Sequence, residues 1–235
     1  MLLDSKSLST TDELLAPVRQ QLAAMEERLR ESLQGQHQAL TAATEHLLDS
    51  GGKRVRPTMA LLSSGLFAAD VDHAVSLASA VEMLHTATLV HDDLIDGALL
   101  RRGIPTVNSK WSPDATVLTG DYLFARAASF AAQTESVRVM KLFAETLMII
   151  VNGEIRQKFA DNTTLSREGY FKRIHAKTAS MFALAAEAGA VLGAASEVTI
   201  TGMHRYGSKT GMAFQIMDDV LDFIGNSDRI GKPVG

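Results

Sequence analysis

Residues 12–33 read DELLAPVRQQLAAMEERLRESL. Leu15, Val18, Leu22, Met25 and Leu29 recur at three- and four-residue steps, while Arg19, Glu26, Glu27 and Arg30 take the other face. That pattern is a surface helix with one buried side. Similar segments follow along the chain. A helix over 38–48 should stop at Asp49-Ser50-Gly51-Gly52, and Pro57 suits the first turn of one over 58–67. Further helices are expected over 74–94, 115–132, 137–156, 166–192 (with a break near Lys177) and 198–223. Turn-rich stretches such as Gly103-Ile104-Pro105 and Asp161-Asn162-Thr163-Thr164 separate them. The chain has only five prolines and no sustained two-residue alternation or interdomain linker. The expected fold is all-α, a single domain built on helix packing.

Composition narrows the function. With 46% hydrophobic and 21% charged residues in 235, the chain can bury a large core, so wholesale disorder is excluded. A net charge of -4 gives no reason to expect nucleic-acid binding. There is no cysteine, which removes disulfides, thiolate nucleophiles and Cys-ligated zinc. The start, MLLDSKSLSTTDELL, does not read as a signal peptide. The stretch 179–195 is rich in Ala and Gly but carries Glu187, and is expected to be a packed helix rather than a membrane span.

One short motif occurs twice: Asp92-Asp93-Leu94-Ile95-Asp96 and Asp218-Asp219-Val220-Leu221-Asp222. On a helix the first and last carboxylates of each copy lie one turn apart on one face, where they repel. A divalent cation would offset that repulsion, and carboxylate oxygens suit Mg²⁺ or Mn²⁺ rather than zinc. Cations sit where a phosphate would need them. Gly51-Gly52-Lys53-Arg54-Val55-Arg56-Pro57 precedes a helix, and Arg101-Arg102 follows the first acidic motif. The glycine stretch lacks P-loop spacing. His85, Thr88, Asp92 and Asp96 form one helical stripe, so His85 is either structural or a ligand contact. His91 reads as a packing neighbour and Trp111 as core. Together the motifs suggest a diphosphate held through metal, with a second anion held directly by Lys and Arg.

The blocks GGKRVRP (51–57), LHTATLVHDDLIDGALLRRG (84–103), GDYLFARA (120–127), KT (177–178), FQIMDDVLDFIG (214–225) and GKPVG (231–235) resemble the trans-isoprenyl diphosphate synthase, or polyprenyl synthetase, family in its own order. The resemblance implies a bundle of long helices around a central cavity, of the isoprenoid synthase type, and a cytoplasmic homodimer. It also implies head-to-tail condensation of isopentenyl diphosphate onto an allylic prenyl diphosphate, assisted by Mg²⁺ (or Mn²⁺). Asp92, Asp96 and Asp218 would hold the metal, with Asp93, Asp219 and Asp222 close by. Arg101, Lys177, Thr178, Gln215 and Lys232 would contact the allylic substrate, and Lys53, Arg56, His85 and Arg102 the isopentenyl diphosphate.

Chain length is expected to depend on Leu84, Ala87 and Thr88. The fifth residue before the first motif is Ala87, where a small side chain resembles long-chain enzymes, so a product of C30 or more is expected. Family members usually continue past GKPVG, so residues 1–235 are expected to form a synthetase domain lacking the C-terminal helices. Two rival readings are a class I terpene cyclase or head-to-head synthase, and a non-catalytic partner subunit. The paired basic sites argue against a simple cyclase, and six intact aspartates argue against an inactive subunit.

Overall fold

From residue 74 to residue 84 every side chain is buried, so the helix that carries them has no solvent face along that stretch. The other elements are arranged around it. The computed structural model describes residues 13–224 other than 14, 50, 51, 102 and 160–165. Its helices in chain order are α1 (Arg19–Glu31), α2 (Gln38–Asp49), α3 (Val55–Leu66), α4 (Val71–Ile95), α5 (Val107–Lys110), α6 (Pro113–Ala132), α7 (Val137–Phe159), α8 (Arg167–Ile174), α9 (Ser180–Leu192) and α10 (Glu197–Ile224). A five-residue π turn, His175–Ala179, joins α8 to α9. Between α4 and α5, strands β1 (Leu100–Arg101) and β2 (Ile104–Pro105) pair antiparallel.

The central helix is α4, packed most extensively on α6 and also against α3, α9 and α1. Alanine-rich α9 is the second core helix, wedged between α3, α7 and α10. Its residues Ser180 to Ala186 are all buried, and Glu187 at its edge bonds His204 of α10 at 2.7 Å. Of the stretch 179–195, expected to be a packed helix, the helix runs through Leu192 and is buried up to Ala190 except at Glu187. No helix among the described residues is long and apolar enough to cross a membrane.

Local chemistry sets the ends of the elements. The Asp70 carboxylate caps α4 by accepting from the amides of Asp72 and His73. At the other end Gly97, with φ 65°, turns the chain out of the helix, and the Ala98 amide returns to the Asp93 carbonyl. Ser112 and Ser166 cap α6 and α8 in the same way.

The expected helices are present, with four differences. The first α-helix starts at Arg19, after a 3₁₀ turn at Ala16–Val18 that contains Pro17; residues 12 and 14 lie outside the described set. The helix expected from 58 begins at Val55, which places Pro57 in its first turn, where a missing N–H costs nothing. The break near Lys177 is a π turn through which the helical path continues. The hairpin and α5 were not expected, because elements of two and four residues carry no periodicity.

Candidate active site

The last turn of α4 opens onto a cavity of about 410 Å³. Asp92, Asp93 and Asp96 line it from α4, and Asp218 lines it from α10. The Asp96 amide donates to the Asp92 carbonyl at 2.8 Å, so the four-residue stacking of these carboxylates survives at the helix end. The three aspartates differ in their partners. Asp93 is almost wholly buried, its carboxylate forked by Arg101: Nε lies 2.9 and 3.1 Å from its two oxygens and Nη2 2.7 Å from one. The hairpin delivers that guanidinium, since Arg101 stands on β1 opposite Ile104. Asp92 faces Lys177 of the π turn, Nζ to Oδ2 3.0 Å.

Lys177 reaches a second carboxylate, Glu154 of α7, at 3.2 Å. Burial acts to lower the Lys177 pKa, but Asp92 and Glu154 together outweigh it and hold the ammonium above its ordinary range. Beside it the Thr178 hydroxyl donates to Gln215 Oε1 at 2.6 Å, and Gln215 Nε2 donates to Asp219 at 2.8 Å. Tyr170 closes this chain by donating its hydroxyl to Asp219 at 2.6 Å, a bond that raises the phenol's pKa.

Cations approach from the start of α3, Lys53 just before it and Arg56 in its first turn. Lys53, Arg56 and His85 all line the cavity. Arg56 Nη1 lies 3.2 Å from His85 Nε2, and its guanidinium sits 5.2 Å above the ring of buried Phe182. Arg54 between them is engaged elsewhere: it takes a left-handed conformation (φ 48°) and pairs with Glu82 and Glu26 while donating to the Leu48 carbonyl.

The structure thus brings Lys53, Arg56, His85, Thr88, Asp92, Asp93, Asp96, Arg101, Lys177, Thr178, Gln215 and Asp218 to one cavity. Asp219 touches it through Gln215, and Asp222 lies one turn beyond Asp218 on α10. Leu84 and Ala87 are fully buried in the core and do not line the cavity; of the expected length-setting residues, Thr88 does. The helix turns Ala87 about 140° from Asp92, which accounts for its place in the core. Arg102 and Lys232 lie outside the described residues. His91 packs as expected, near the Val117 carbonyl and the Phe124 ring, and Trp111 packs against the core.

Sequence reasoning missed Glu154, Tyr170 and Glu82. Glu154 and Tyr170 carry no motif of their own, while a charge amid the apolar run of α4 could have flagged Glu82 as one needing a partner.

Carboxylates on facing helices beside fixed cations suit a polyanion bound together with hard divalent ions. Among the described residues no three acidic or histidine side chains stand close enough to cage a metal by themselves.

Comparison with known proteins agrees with this arrangement. The polyprenyl synthetase family model matches residues 37–235. A prenyl transferase of Synechocystis sp. is 41% identical over 232 residues, covering 96% of this chain and 71% of that protein. The heptaprenyl diphosphate synthase component 2 of Geobacillus stearothermophilus is also 41% identical, over 91% of this chain and 67% of its own length. A crystal structure of polyprenyl synthase from Caulobacter crescentus CB15, complexed with calcium and isoprenyl diphosphate, superposes with a TM-score of 0.90 at 38% identity, covering 96% of this chain and 69% of that one. The chain belongs to the polyprenyl synthetase family and is a prenyltransferase.

Proposed function

We propose that the protein condenses isopentenyl diphosphate head-to-tail with an allylic prenyl diphosphate and releases diphosphate, giving a trans-polyprenyl diphosphate of C30 or more. The observation that carries this reading is that both aspartate motifs and the Lys53–Arg56 cations open onto the same cavity. Asp92, Asp96 and Asp218 would hold Mg²⁺, whose charge would stabilise a departing diphosphate. Lys177 and Arg101 would bind the allylic diphosphate, with Thr178 and Gln215 orienting it. Lys53, Arg56 and His85 would hold isopentenyl diphosphate. Its alkene attacks the allylic carbon as the carbon–oxygen bond breaks. Proton loss to the departing diphosphate then restores a double bond, so no protein base is required.

The long-chain reading is supported by Thr88 and Leu89, small and aliphatic residues on the cavity wall just before Asp92; Ile150 and Met181 line it as well, beside the aromatic ring of Phe214. Likeness to a heptaprenyl synthase component points the same way. Homodimerisation is supported by exposed apolar side chains: Met148, Val151, Ile155 and Phe159 recur at helical spacing along α7, and Val117 and Leu118 are exposed on α6. The component 2 relative favours a second arrangement, in which these side chains meet a different subunit.

The test is direct. Labelled isopentenyl diphosphate, each allylic primer and Mg²⁺ are incubated with the protein, and the products are sized. Elongation to C30 or beyond is expected. No product from any primer would defeat the reading, and a C15 product would defeat its long-chain part.

A further inference from the structure

We infer that Gly153 and Gly211 are positioning residues for Lys177 and Thr178, acting through the π turn that carries them. The inference rests on the allylic-diphosphate role proposed above for that pair.

A π turn accommodates one more residue than an α-helical turn, so it changes which side chains face a given direction. Here it lets two consecutive residues serve three neighbours. Lys177 reaches Asp92 of α4 and Glu154 of α7, while Thr178 reaches Gln215 of α10. Side chains of fixed length do this only if the turn's backbone is held close against α7 and α10, leaving the long Lys177 side chain to span to α4.

Glycines on two of those helices provide the clearance. A Cβ at Gly153 would stand 2.6 Å from the Ala176 Cβ. A Cβ at Gly211 would stand 2.6 Å from the Ala179 Cα and 3.0 Å from the Phe182 Cβ. Neither obstacle is the end of a flexible chain: one is a methyl fixed to the backbone, the other the backbone itself. A methyl group at either glycine must therefore push the turn. Gly153 also precedes Glu154, so a single turn of α7 supplies both the clearance and a counter-ion for Lys177. Gly202 on α10, by contrast, faces open space.

Gly153→Ala would displace the turn from α7 and misplace Lys177 while leaving Lys53 and Arg56 untouched. The contact can also be exchanged. In the pair Gly153→Ala with Ala176→Gly, the methyl group sits on the other side of the same gap. The experiment measures binding of farnesyl thiodiphosphate and of isopentenyl diphosphate, with Mg²⁺, by titration calorimetry.

Gly153→Ala is expected to weaken the allylic analogue about tenfold or more, the effect of losing a charge-assisted contact. Isopentenyl diphosphate binding should be unchanged, the exchanged pair should regain wild-type affinity, and Gly202→Ala should bind both ligands normally. Equal weakening of both ligands, no weakening, or an exchanged pair that stays defective would overturn the inference. If circular dichroism shows that Gly153→Ala does not fold, the exchanged pair decides: wild-type affinity is expected, and selective loss of the allylic analogue overturns the inference. A wild-type chain that binds neither ligand would defeat the prenyl-transfer reading, and with it the role given to Lys177. A wild type that binds both beside an unaffected Gly153→Ala would defeat the glycine inference alone.

Discussion

Glu82 and Asp93 are two nearly inaccessible carboxylates on one helix, each matched by an arginine from another element. A buried charge is tolerated only when paired, so removing one partner costs far more than the pair contributes. Glu82→Ala would leave Arg54, whose side chain is only 17% exposed, with Glu26 and the Leu48 carbonyl as partners, and would loosen the left-handed residue between Lys53 and Arg56. The expected loss is about 1.5–3 kcal/mol, that of one charge-assisted contact, read from the urea midpoint; a shift under about 1 kcal/mol would show the pair to be solvated. Asp92→Ala and Asp218→Ala should instead leave the fold intact by circular dichroism. Turnover should fall by about 10²–10³ or more in each. Near-normal turnover in either variant would remove that motif from the chemistry. For Lys53→Ala or Arg56→Ala, KM should rise about 10- to 150-fold for isopentenyl diphosphate and much less for the allylic primer. Equal rises would merge the two proposed anion sites. At this scale, the stacking of Asp92 under Asp96 was legible because it is set within one helix. The arginine on Asp93 was not, since it depends on where a hairpin lands.

The π turn and the helices flanking it form the element that depends most on its surroundings. His175, at its start, is partly buried beside His204 of α10, which in turn bonds Glu187 of α9. Burial first, and then the His204 charge, lower the His175 pKa below its ordinary value of 6.5. The unfolded chain therefore takes up a proton at a higher pH than the folded one. The stabilisation from neutral His175 is complete above the unfolded value and is lost as pH falls through the folded one. Thermal midpoints should drop as pH falls from about 7.5 to about 5. In His175→Gln that drop should be shallower, and an identical slope in wild type and variant would place the titration elsewhere. The helix over 166–192 and an interruption near Lys177 were both expected from sequence. That the interruption is a π turn held between glycines depends on α7 and α10, which are remote in sequence.

For the whole molecule, the question is what the cavity can hold. Thr88 stands on its wall one turn before Asp92, with its hydroxyl turned back to the His85 carbonyl. Thr88→Phe should therefore block the apolar side and shift products toward about C15–C20 while the first condensation still proceeds. An unchanged product distribution in a folded, active variant would put the floor deeper. The sequence by itself determined the all-α class, most helix boundaries, the stacked aspartates and the cations at the start of α3. All of these follow from local rules, the 3.6-residue period and the chemistry of caps and turns, which act over a few positions. Only the tertiary structure decided that Arg54 serves Glu82 across 28 positions, that Lys177 lies between Asp92 and Glu154, and that Ala87 faces the core while Thr88 faces the cavity. Those pairings arise when buried helices pack at fixed distances, and each buried charge must then find its partner among whatever residues the packing brings near.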